Sequence, residues 1–134
     1  MIGDQVQEAV NAALRAANVA GGRIYDRVPS SPTFPYLTIG DEQVVDEGGD
    51  DVDGEDCGAG GWSVFADVHV WSRPVSGSKA EAKTIAAAAV AALRGITTVT
   101  GFSLKAVRLE SSRAMRDPDG ITEHVVVTMR FVLD

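Results

Sequence analysis

The chain holds few groups able to do chemistry, and their spacing limits what that chemistry could be. His69 and His124 are its two imidazoles, each at an outward position of an alternating segment. On adjacent strands they would supply a catalytic or metal pair, but no third ligand or nucleophile stands at a recognisable spacing, and the alternative is a pair of interface or surface histidines. Aligning Gly54 with the turn glycine of a calcium loop puts Asp51 and Asp53 at ligand positions, with Gly49 and Gly60 where the end carboxylates belong. That motif fails, leaving weak cation binding or a solvated acidic loop. Gly58, Gly60 and Gly61 do not join a strand to a helix, so they form no phosphate cradle. Cys57, the single cysteine, lies among acids that disfavour a reactive thiolate. These absences argue against an enzyme, a bound metal and a cofactor.

The elements that would position such groups centre on Trp62 to Leu93. Trp62, Val64, Ala66, Val68 and Val70 alternate, which predicts a strand with one face in a core. Ile85, Ala86, Ala89, Val90 and Leu93 follow at helical spacing, and eight alanines between 80 and 92 predict a thin helix close to the sheet. Ser78 with Glu81 reads as a capping box, and Gly95 as a left-handed C-terminal cap. Upstream, Ile2, Val6, Ala9, Val10, Ala13, Leu14 and Ala17 predict a helix from about Gly3 to Asn18, capped by Asp4 and ended by Gly21 and Gly22.

Arg23 to Val28 reads as a short strand, and Tyr36 to about Val45 as a longer one with Leu37 and Ile39 in the core. Residues 46–61 form an acidic, low-complexity stretch, expected to be a mobile hairpin loop. Gly101 opens a strand whose parity slips between Ala106 and Val107, which predicts a bulge. Asp117 to Gly120 has turn chemistry. In the last strand Ile121, Val125, Val127, Met129, Phe131 and Leu133 are expected inward, with Thr122, His124, Val126, Thr128, Arg130 and Val132 outward. The expected fold is a single α+β domain spanning 1–134, in the order α-β-β-β-α-β-β. Its mainly antiparallel sheet carries both helices on one face.

The outward row of the central strand, Ser63, Phe65, Asp67, His69 and Trp71, is too aromatic for a solvated face and too polar for a second core. It reads either as an interface or as a surface covered by other parts of the chain. Phe65, His69, Trp71, Val126 and Arg130, with Arg73, Arg108, Glu110 and Arg113 at strand ends or on the outward side, are the candidate interface residues.

The 134 residues are 45% hydrophobic and 23% charged, an ordinary globular balance. No apolar run is long enough to span a membrane and no leader is visible, so neither is expected. One cysteine excludes an internal disulfide and suits a reducing cytoplasm. The net charge of −7 is concentrated: nine acids and no base lie between Asp41 and Asp56, leaving 12 bases against 10 acids elsewhere. Without a basic stripe, nucleic acid binding through phosphates is disfavoured.

Three blocks together resemble the tail-terminator (tail-completion, head-to-tail joining) proteins of long-tailed phages and gene transfer agents. They are GGRIYDRVP with PYLTIGDE (Gly21 to Pro29, Pro35 to Glu42), HVWSR with the following helix (His69 to Leu93), and RLESSRAMRDPDG with VVVTMRF (Arg108 to Phe131). The resemblance implies a non-enzymatic virion protein, assembled in the bacterial cytoplasm and placed at the head–tail joint. Six copies would close a ring on the tail tube, end its polymerisation and meet the head-side connector. Its partners would be itself, the tube protein and a connector protein; DNA would pass without sequence-specific binding, and no membrane is involved. The loop carrying Asp46, Glu47, Asp50, Asp51, Asp53, Glu55 and Asp56 is longer and more acidic than the family's usual hairpin, so its role does not carry over. The competing reading is a small-ligand-binding or regulatory α+β module using the outward sheet face.

Overall fold

A computed structural model of the chain describes residues 1–48 and 61–134. Helix α1 (Ile2–Ala16) leads through a short 3₁₀ turn to β1 (Ile24–Tyr25), β2 (Tyr36–Asp46) and β3 (Trp62–Ser72). Helix α2 (Ala80–Arg94), β4 (Leu104–Arg116) and β5 (Glu123–Leu133) follow. The strands form one sheet in the order β1-β2-β3-β5-β4. β1 runs parallel to β2 and every other pair is antiparallel. This is the expected α+β order. The acidic loop expected over 46–61 falls, from 49 to 60, outside the described residues. Among those residues no helix is long and apolar enough to cross a membrane.

The core forms where period-two rows of the sheet meet the stripes of two helices. Val6, Val10 and Leu14 of α1 and Ala82, Ala86, Ala89 and Leu93 of α2 are buried against Leu37, Val64, Val68, Val70, Val127, Met129 and Phe131. Each fully buried large aliphatic contributes about 1.5–3 kcal/mol. The alanine face of α2 adds little area per residue but admits the helix closely.

Several local expectations are corrected. Asp4 lies in the first turn of α1 and Met1 takes the N-cap position. The helix stops at Ala16 because Asn18 turns left-handed (φ 53°). No capping box forms at α2: Lys79 is the N-cap, and Glu81 instead accepts a 2.6 Å bond from Ser72 Oγ. Gly95 is right-handed (φ −79°), since the chain continues into further turn bonds, Gly95 N to Ala92 O and Ile96 N to Leu93 O.

β4 starts at Leu104, after a turn in which Gly101 has φ 81°. Its register shifts lie between Leu104 and Ala106 and between Leu109 and Ser111, on either side of the expected slip, while Ala106 and Val107 pair regularly. Ile121 is exposed, because the turn closed by Gly120 N to Asp117 O carries it out of the sheet. Thr122, expected outward, is buried. Asp119 binds its backbone N–H (2.8 Å) and hydroxyl (2.5 Å). Trp62 is only half-buried at the end of the inward row, whereas Ser63, expected outward, is fully buried.

Candidate functional site

Strand register assembles the side of the sheet opposite the helices into cross-strand rows. Tyr36, Trp71, His124 and Met115 form one row, and Thr38, His69, Val126 and Arg113 the next. Beyond them lie Asp67, Thr128 and Ser111, then Gln43, Phe65, Arg130 and Arg108, then Val45, Ser63, Val132 and Ala106. The parity that buries Val64, Val68, Val127 and Phe131 necessarily turns this set away from the core.

Aromatic contacts organise one end of that face. The Trp71 indole stacks on His124 with centroids 3.8 Å apart and planes 10° apart, and donates through Nε1 to Thr38 Oγ1 at 3.1 Å. His69 Nδ1 lies 2.7 Å from His124 Nε2, so one ring donates and the other accepts. Burial, then the neighbouring His69, pushes the His124 pKa below its ordinary value, with Asp117 opposing. Tyr36 is covered by Trp71, Phe34 and Tyr25, and burial chiefly raises its pKa. Arg73 lies 4.2 Å over the Phe34 ring, bonds Thr122 Oγ1 at 2.9 Å and reaches Asp119 at 3.5 Å. Asp119, a multiple acceptor in its turn, has its pKa lowered to about 2, chiefly by the Thr122 hydroxyl.

The other end is held by polar pairs. Thr128 donates to Asp67 at 2.6 Å. Arg130 donates to the buried Ser63 hydroxyl at 3.1 and 3.0 Å, lies 5.6 Å over Phe65 and reaches Glu47 at 3.5 Å. Most of these side chains are half-buried, and among the described residues no helix lies over them.

The structure thus brings Phe65, His69, Trp71, Val126 and Arg130 onto one face and sets Arg73 at its end. Arg108, Glu110 and Arg113 are exposed on β4, without an ion pair among the described residues. Asp46 closes β2 and Glu47 follows it. Asp50, Asp51, Asp53, Glu55 and Asp56 lie outside the described residues. His69 and His124 do meet, but among the described residues no group of three or more His, Cys, Asp or Glu side chains gathers to hold a metal.

Glu123 escaped the sequence reading. It is 1% exposed, accepts from Arg116 Nε at 2.7 Å, and its second oxygen is buried without a hydrogen-bond partner among the described residues. The signal was available, since counting back two residues from Val125 puts Glu123 on the inward face.

The family model described as "Tail completion protein gp17" matches residues 5–134. The tail completion protein gp17 of Bacillus phage SPP1 is 28% identical over 102 residues, 75% of this chain and 69% of that protein. A solved SPP1 gp17 structure superposes with a TM-score of 0.57 at 25% identity, covering 98% of this chain and 90% of the other. A chain in the virion of a native gene transfer agent particle gives a TM-score of 0.81 at 24% identity, over 98% and 96% of the two chains. That last likeness speaks for the fold. With a match along nearly its whole length, this chain belongs to the tail completion protein gp17 family.

Proposed function

We propose that this tail structural protein acts as a ring, six copies of which cap the tail tube, end its polymerisation and join it to the head-side connector. The observation that carries this reading is the open, aromatic face of the sheet: Trp71, Phe65 and Val126 lie where a freely solvated strand would carry polar side chains. In the assembled particle this face is buried against another subunit or a partner. Family membership supports the tail assignment.

Charge supports a bore that DNA crosses without sticking. With nine acids and no base between Asp41 and Asp56, and a net charge of −7, the chain offers phosphates repulsion. Replacing Asp50, Asp51, Asp53, Glu55 and Asp56 with Asn or Ser should leave particle joining intact and slow DNA delivery; unchanged delivery removes this part of the reading.

Native mass spectrometry with and without purified tail tubes tests the whole. A closed sixfold species, free or on the tube end, is expected. A chain that stays monomeric in both conditions overturns the proposal.

A further inference from the structure

The two edges of the subunit are unlike in charge. At one edge, β4 runs for thirteen residues and, among the described residues, has a strand partner on one side only. Behind it, between β4 and α2, opens a groove of about 530 Å³ lined by Ala87, Val90, Ala91, Leu109 and Ala114, with Lys83 and Arg94 at its rim. Leu109 is 37% exposed there. Lys83, Arg94, Arg108 and Arg113 are all exposed and lack an ion pair among the described residues, with Glu110 the one acid in their midst.

The opposite edge is built by α1, β1 and the far half of β2. Because β1 covers only Leu37 and Thr38, β2 from Asp41 to Asp46 has no strand on its outer side among the described residues. Asp4, Glu8, Asp26, Asp41, Glu42 and Asp46 are exposed along this edge, and Val44 is 40% exposed among them. Of the local bases, Arg15 and Arg23 donate to the Ile24 and Pro35 carbonyls and keep their charge, and Arg27 is exposed, so six acids stand against three bases and the edge stays net negative.

Each edge repels its own kind and attracts the other, which disfavours a two-fold dimer through either edge and favours head-to-tail contact. A long unpaired strand edge is also a surface that proteins normally cover. We infer that the β4–α2 edge docks the α1–β2 edge of a second copy of this chain, Arg108 and Arg113 meeting its acids and its Val44 entering the groove beside Leu109. This rests on the ring reading and names the surfaces by which neighbours touch. Arg108 and Arg113 stand at the β4 margin of the outer sheet face, so the contact covers that margin and leaves Phe65, His69 and Trp71 free for a partner along the tail axis.

The test is charge reversal read by native mass spectrometry, on the purified chain alone and on tail tubes. Arg108→Glu/Arg113→Glu and Glu8→Lys/Asp41→Lys change exposed positions, so circular dichroism should match wild type. Each pair alone should weaken assembly by about 100-fold, since like charges then face each other. The chain carrying all four substitutions restores opposite signs and should reassemble. If wild type forms rings but either reversed pair assembles normally, or the fourfold variant does not recover, the edge contact is wrong and the ring stands. A wild-type chain that is monomeric in both settings overturns both.

Discussion

Trp71 lies flat on His124, the two rings 3.8 Å apart by centroid, on a sheet face that no helix covers among the described residues. The indole has His124 on one side and Tyr36, 6.4 Å away by centroid, on the other, so it is the outer edge of the partly exposed ring that is available. Trp71→Ala should leave the core intact, because Val68 and Val70 point the other way, and should weaken assembly by about 2 kcal/mol or more if that edge is an anchor. Thermal unfolding of the variant beside its assembly constant separates the two effects. A collapse of folding with no separate assembly defect would make Trp71 a purely internal residue.

The neighbouring imidazoles predict a pH dependence. His124 has a folded-state pKa below its ordinary 6.5, mainly through burial, so the unfolded chain takes up a proton before the folded one does. The stability contributed by keeping it neutral is present above about pH 6.5 and is lost as pH falls through the depressed value. Unfolding midpoints measured from neutral to mildly acidic pH should decline for wild type and decline less for His124→Gln. Identical profiles would show that the pair carries no linkage.

Gly40 borders the same pair. A Cβ built there would lie 2.5 Å from His69 Nε2 and 2.6 Å from its Cδ2, so even alanine must displace the imidazole. Gly40→Ala is expected to break the 2.7 Å contact between His69 and His124 and to shift the histidine ring signals in NMR spectra. Unshifted resonances would mean that the strand, and not the ring, gives way.

At the start of β5, Arg116 is half exposed while its partner Glu123 is buried. Removing the arginine strands a buried carboxylate, so Arg116→Ala should cost about 1–3 kcal/mol in denaturant unfolding. Glu123→Gln removes that charge and should cost less in the Arg116→Ala background than in wild type. Strict additivity would argue that the two side chains are independent.

What the sequence made legible follows from what its patterns encode. Alternation placed Val64, Val68 and Val70 inward and Trp71 outward because pleating leaves no other arrangement once one face is buried. Helical spacing located α2 to within a few residues for the same reason. Pattern does not encode which partner a polar group finds. The spacing of Glu81 from Ser78 suits a cap for its own helix, but Glu81 meets Ser72 on the neighbouring strand, where a buried hydroxyl needs an acceptor. Ser63, Thr122 and Glu123 are buried because Arg130, Asp119 and Arg116 reach them from elsewhere in the fold. The parallel pairing of β1 with β2 was likewise invisible, since it depends on where the intervening loop returns the chain.

The sheet begins in a two-residue stub, β1, and ends in the thirteen-residue β4. A unit with such unequal flanks has a left and a right. A cycle built by joining left to right has a sense of rotation, and its two rims are different surfaces. If the proposed ring caps the tube, it would fit a growing end in one orientation only and turn a different rim outward. Elongation would then have no matching surface to continue from, and the next component would have to be of another kind.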